Sequence, residues 1–178
     1  SIAFAESCEM MKQLGWSVTE VDFSPFLEVA RLLYEGPWVA ERYAAIREFI
    51  TAKPEALHSV TRAIIEKGLD FDAVETFEAL YRLEALRART AVTWSTFDVL
   101  VTPTVGTTYS IEDVQANPIA TNSNLGYYTN HMNLLDLSAV AVPGRLLDNG
   151  MPFGITLSAP AWHDERLLAL AERFHVSS

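Results

Sequence analysis

The sequence predicts an α/β fold in which helices cover a mixed β-sheet, and three observations carry that prediction. Two short runs, Asp98–Pro103 and Ser138–Pro143, are β-rich and nearly all apolar, as strands buried on both faces are. A third run, Phe153–Leu157, follows the turn sequence Asp148-Asn149-Gly150 and reads as the hairpin partner of the second. Long stretches of helical periodicity surround these runs, the longest reaching from Asp72 to Trp94.

In chain order, residues 2–14 place Phe4, Cys8, Met11 and Leu14 on one helical face, and Gly15 closes that helix. Trp16 to Phe23 alternates apolar and polar residues, the pattern of a half-buried strand. Ser24-Pro25 turns the chain into a helix over about Phe26–Tyr34, and a further helix opens after Gly36-Pro37 with Trp38, Val39, Tyr43 and Ile46 as its apolar content. Pro54 starts another, with Leu57, Val60 and Ile64 inward and Gly68 stopping it. On the long helix, Val74, Phe77, Tyr81, Ala85, Ala88 and Val92 share a face expected to point to the core, while Glu78, Arg82 and Arg89 point outward. The run ending at Pro103 is expected to be a parallel strand. The segment holding Gly106, Asn117-Pro118 and Thr121–Asn124 is expected to be a polar, cleft-lining loop. Tyr128–Leu137 is expected to be helical, and Asp164 is expected to cap a closing helix that packs Leu167, Leu168 and Leu170-Ala171 on the sheet. No internal linker is evident, so residues 1–178 are expected to form one structural unit.

The 178 residues suffice for a real core, and 49% hydrophobic with 20% charged residues is a globular balance. A formal charge of −10 argues against nucleic acid or an anionic membrane as partner. An anionic substrate would then need a local positive site. The single cysteine, Cys8, excludes an internal disulfide and fits a reducing, cytoplasmic setting. The opening at Ser1, not Met, directly into a helical pattern suggests a piece of something longer.

Chemistry-bearing patterns are scarce. His58, His131, His163 and His175 are too far apart in sequence to share a helix face as metal ligands, and His131, near Asn130 and Asn133, reads as a satisfied polar residue at a helix edge, reaching a pocket being the alternative. The eight glycines form neither phosphate-binding fingerprint, and no cofactor is expected. Cys8 lies on a core-facing stripe and reads as inert. Asp70, Asp72, Glu75 and Glu78 suit a helix start better than acid–base work, and Lys12, Lys53 and Lys67 have no serine cluster near them. One constellation stands out: Gly36-Pro37 breaks a helix between Tyr34 and Arg42. A phenol and a guanidinium brought together there would offer a carboxylate one hydroxyl and a planar two-donor fork. The competing reading is a stack of Arg42 on Trp38, four residues apart.

Two blocks, Asn133–Gly144 and Gly150–Leu157, resemble the C-terminal core of amidase-signature enzymes, and Asp98–Thr104 matches the same family. Within it, Leu32–Tyr43 and Asn122–Asn130 are similar to the allophanate hydrolases, which also occur as a domain of urea amidolyase. The resemblance implies an amidase-signature fold, represented by its C-terminal half. It also implies amide hydrolysis by a Ser–cis-Ser–Lys triad, and a substrate carboxylate held by Tyr34 and Arg42. The Gly/Ser-rich motif and the catalytic lysine belong to the family's N-terminal half and have no counterpart here. Pro143-Gly144-Arg145 also stands where the family has Pro-Ala-Gly. The resemblance thus implies allophanate as substrate for the parent enzyme, inactivity of this chain alone, and the other amidase half as partner. A homodimer is a further implied partner. A non-catalytic remnant or interaction module, and an amidase for another small amide, are the alternatives. A half-sheet would expose a strand edge and apolar surface, so poor solubility or self-association is expected.

Overall fold

Nine α-helices and three strands organise the described residues of a computed structural model, residues 2–176; Ser1 and the Ser177-Ser178 pair lie outside them. The strands are β1 (Leu100–Pro103), β2 (Leu137–Leu146) and β3 (Pro152–Pro160), in the order β1-β3-β2. Both pairings are antiparallel, with Val101 opposite Leu157 and Leu157 opposite Val140. The expected hairpin of the second and third strands is therefore present, but the parallel reading of the first is corrected. An apolar run does not report the direction of its neighbour, and the expected burial on both faces holds for β1 but not for β2, where Ala139, Ala141 and Pro143 are exposed.

The sheet carries one core on its apolar face. Helix α1 (Ile2–Gln13) and helix α9 (Asp164–His175) contribute Met11, Leu167, Ala171 and Phe174, which pack on Val142, Ile155, Leu157 and Ala159. Asp164 is the first residue of α9 and provides no side-chain cap; its carboxylate accepts a hydrogen bond from Ser138 Oγ at 2.9 Å, tying the helix to β2. Leu168, expected inward, is exposed. Because facing residues alternate along a strand, β1 and β3 turn a hydroxyl-bearing surface the other way: Thr156 Oγ1 donates to Thr104 Oγ1 at 3.0 Å, and Ser158 Oγ to the Leu100 carbonyl at 3.4 Å.

A second core holds the helical layer. Helix α2 (Ser24–Glu35) lies between helix α5 (Ala73–Trp94) and helix α8 (His131–Leu135), joined by Val29, Leu32, Leu33, Leu83, Leu86 and Leu134. Polar contacts reinforce it at the edges: Arg89 pairs with Glu28, and the Arg87 guanidinium donates twice to the Leu134 carbonyl, capping α8. Helix α5 starts with the capping box that its acidic opening encodes, Asp72 and Glu75 each accepting the other's backbone N–H.

Its apolar face, however, is reversed relative to expectation. Leu83, Leu86 and Thr90 are the buried residues, and all of Val74, Phe77, Tyr81, Ala85, Ala88 and Val92 are exposed, Tyr81 at 69% and Val92 at 70%. The helix has two apolar stripes, and in this chain α2 covers the other one.

Three further expectations change. Trp16–Phe23 forms no strand, although its alternation survives as half-buried Trp16, Val18, Val21 and Phe23 between exposed polar neighbours. The segment expected to be a loop folds as helix α6 (Ile111–Ala116) and helix α7 (Pro118–Leu125), α6 being capped by Ser110 and Asp113 in a reciprocal box. Helix α8 is shorter than Tyr128–Leu137, because Asp136 takes the left-handed conformation at φ 52° and Leu137 already belongs to β2.

Helix α3 (Trp38–Ala52) follows the Gly36-Pro37 break, and helix α4 (Ser59–Glu66) continues into a tight turn over Lys67–Leu69. Gly68 in that turn lies against the start of α3, where an added Cβ would sit 2.6 Å from Ala40 Cα and 2.7 Å from the Val39 carbonyl oxygen. Neither atom belongs to a flexible side chain, so the backbones must part. Gly68→Ala is expected to destabilise the chain by about 2 kcal/mol, the range of overpacking, read as a lower urea midpoint at an unchanged slope.

Candidate functional site

The Gly36-Pro37 break sets the geometry of the candidate site. Helix α2 ends at Glu35, and Gly36, extended at φ −103° and ψ −178°, donates its N–H to the Leu32 carbonyl. A side chain at this position would meet that carbonyl oxygen at 2.6 Å and the Trp38 ring at 3.0 Å, so the close turn requires glycine. Pro37 then fixes the entry to α3, whose first residue is Trp38. Arg42 lies just over one turn into α3, and Tyr34 is on the last turn of α2.

The turn brings the two side chains together. The Arg42 guanidinium carbon stands 5.3 Å from the centroid of the Tyr34 ring, over its face. The stacking partner is thus Tyr34, across the break, and no such stack joins Arg42 to Trp38 among the described residues. Stacking occupies the guanidinium's face, while its five N–H donors radiate in its plane and stay free for a planar anion. Among the described residues the Arg42 side chain forms neither an ion pair nor a hydrogen bond, as is true also of Arg31, Arg47 and Arg82, whereas Arg62, Arg87, Arg89, Arg145 and Arg166 are each held by a carboxylate; Arg42 differs from the other three in its stack on Tyr34. In a chain of net charge −10, this is the kind of local positive site that an anionic ligand needs. Tyr34 is 38% exposed and Arg42 half-buried, so both are reachable.

Neither of the two main grooves contains this pair. One, about 260 Å³, lies behind the break between Gly36-Pro37 and the start of α5. The larger, about 920 Å³, lies between β1 and the Trp16–Val21 segment.

The remaining sequence candidates fall into place as follows. Burial pushes the Cys8 thiol up, which accords with an inert cysteine. His131 is not the satisfied residue expected at a helix edge. It is fully buried, with the Phe23 and Phe26 rings each 5.4 Å away and edge-on, and neither ring nitrogen has a partner among the described residues. Desolvation pulls its pKa down to about 4, so the ring is neutral. The polar neighbours Asn130 and Asn133 suggested hydrogen bonds, and no sequence signal marked the aromatic cage.

The sequence pattern of the amidase family matches residues 1–168. The chain belongs to the amidase family. Among its relatives, the urea amidolyase of Saccharomyces cerevisiae is 39% identical over 175 residues, which are 97% of this chain and 10% of that protein. The urea amidolyase of Lachancea kluyveri is 37% identical over 96% of this chain and again 10% of its own length. Among solved structures, the allophanate hydrolase of Kluyveromyces lactis superposes with a TM-score of 0.94 at 38% identity, covering 97% of this chain and 29% of that one. An amidase at 21% identity superposes with a TM-score of 0.76, which shows the common fold. This amidase-family chain therefore spans about a tenth of the length of the urea amidolyases it matches, and somewhat over a quarter of the allophanate hydrolase.

Proposed function

We propose that this chain is the substrate-carboxylate-binding part of an amidohydrolase that cleaves allophanate and releases ammonia. The observation that carries the reading is the Arg42 guanidinium stacked 5.3 Å over the Tyr34 ring across the Gly36-Pro37 break, with no carboxylate paired to it among the described residues. In this reading the fork of Arg42 binds the carboxylate of allophanate through two charge-assisted hydrogen bonds, and the Tyr34 hydroxyl adds a third. The likeness to an allophanate hydrolase along 97% of the chain supports that choice among small amides.

Cleavage itself belongs to residues outside this chain. The triad implied by the family resemblance would work by a lysine base, a relaying cis serine and an attacking serine, with backbone N–H groups stabilising the oxyanion. Tyr34 and Arg42 would hold the substrate's far end so that its amide carbon stays at that nucleophile. Binding energy gathered at a group that does not react is thereby used to orient the one that does.

Ammonia release from allophanate, with acetamide as the neutral comparison, tests this reading. The parent protein is expected to prefer allophanate, and the 178-residue chain alone to release none. Ammonia from the isolated chain, or a parent protein that prefers acetamide, would overturn it.

A further inference from the structure

The Tyr34–Arg42 pair has no internal brace. Apart from the stack itself, neither side chain makes a hydrogen bond or an ion pair among the described residues. The spacing of the Tyr34 hydroxyl and the Arg42 fork is therefore inherited from the angle at which α3 leaves α2. Trp38 holds that angle. It is the first residue of α3, yet its side chain reaches back across the break. A Cβ at Gly36 would sit 3.0 Å from its Cζ3 and 3.1 Å from its Cε3, so the benzo ring lies against the bare face of that glycine. The same half-buried ring packs on the core that Leu32 and Leu33 of α2 share with Leu83 and Leu86 of α5.

The rest of α3 does not set the position of Arg42. The helix loses helical geometry at Ile46, at φ −121° and ψ 17°. That bend separates residues 38–45 from the later turns, so Arg42 follows the break and not the far end of the helix. Arg42 stands just over one turn beyond Trp38 on this short segment, and a tilt of the segment about Gly36 moves the guanidinium directly.

We propose that Trp38 is a positioning residue for substrate selection: its ring, wedged between Gly36 and the helical core, fixes α3 on α2 and so the spacing at which Tyr34 and Arg42 meet a carboxylate. The proposal rests on the carboxylate-binding reading of that pair. Trp38 itself touches no substrate. It acts through Arg42, because two donor groups favour a carboxylate only while their spacing matches one, and a misplacement of about 1 Å costs up to about a hundredfold in rate. A neutral amide does not use the pair and is indifferent to its spacing. A tryptophan that merely filled the core would, when shortened, reduce folded enzyme for both substrates alike.

The test is made in the parent protein. Its measure is kcat/KM for allophanate divided by kcat/KM for acetamide, a ratio from which any loss of folded enzyme cancels. Trp38→Met keeps apolar volume in the core and removes the flat ring, and the ratio is expected to fall about tenfold or more. Trp38→Phe keeps a smaller ring and is expected to lose about threefold, which gives the reading if the methionine variant does not fold. In an Arg42→Ala background neither substitution is expected to change the ratio further, because a residue acting through Arg42 has nothing left to act on. A crystal structure of either variant is expected to show the guanidinium farther than 5.3 Å from the Tyr34 ring. Overturning results are an unchanged ratio, a fall of the same size with Arg42 already removed, or a stack still at 5.3 Å. A preference for allophanate that survives Arg42→Ala would instead overturn the carboxylate reading, and with it the role in selection, while a displaced stack would still assign the geometry of the break to Trp38.

Discussion

In the parent protein, Arg42→Ala is expected to raise KM for allophanate about a hundredfold and Arg42→Lys about tenfold, while hydrolysis of a neutral amide changes little. Hydrogen bonds to a charged group are worth about 1.5–3 kcal/mol each, and about 1.4 kcal/mol is a factor of ten in affinity. Losing a two-bond fork therefore costs at least about two decades. Lysine restores a positive charge as a mobile point donor, not a planar pair, and regains part of that loss. Tyr34→Phe separates the two contributions of its ring. The stack 5.3 Å below the guanidinium persists in phenylalanine, so only the loss of the hydroxyl is read, expected as a rise of about tenfold. Steady-state ammonia release against substrate concentration measures all three variants. Unchanged KM for allophanate in Arg42→Ala would remove the carboxylate clamp from the proposed function, whatever the family.

That pair was singled out by the family resemblance; the Gly36-Pro37 break made an approach of two helix ends possible, but the pattern alone favoured a stack of Arg42 on Trp38. Its detail was less legible. The four-residue spacing on a single helix favours Trp38 as the partner of Arg42, but the turn at Gly36 folds Tyr34 beneath the guanidinium instead. The longer helices and the β2–β3 hairpin followed from periodicity and turn chemistry, which are local, whereas the short α6 and α7 were read as a polar loop. What failed depends on neighbours. Helix α5 carries two apolar stripes, and nothing within its own sequence says that α2 covers Leu83 and Leu86 and leaves Phe77 and Tyr81 exposed. Likewise the alternation of Trp16–Phe23 predicted half-burial correctly and pairing wrongly, because a strand needs a second backbone beside it. Helix α5 leaves Val74, Phe77, Tyr81 and Val92 exposed, an apolar surface on the helical layer that the sheet-based expectation of self-association had not located.

His131 supplies the other large effect, an acid-induced loss of stability. Its pKa is held down to about 4 in the folded chain against an ordinary 6.5 because burial among Phe23 and Phe26 disfavours the charged ring. A depressed folded pKa means that between these two values the unfolded chain takes up a proton and the native chain does not. Above pH 6.5 the term vanishes; it grows as pH falls through the window and is complete below about 4, when both states are protonated. The full loss is about 3 kcal/mol, a large share of the stability of a single domain. His131→Leu removes the titration and the two unpartnered nitrogens together. The variant is expected to be at least as stable near neutrality, since an unpaired buried polar group costs about 1–3 kcal/mol, and to lose less than the native chain on acidification. Urea midpoints from pH 7.5 down to about 4 measure the difference between the two curves, which cancels the carboxylates common to both. Parallel curves would mean that His131 is protonated equally in both states and that its nitrogens find partners in solution.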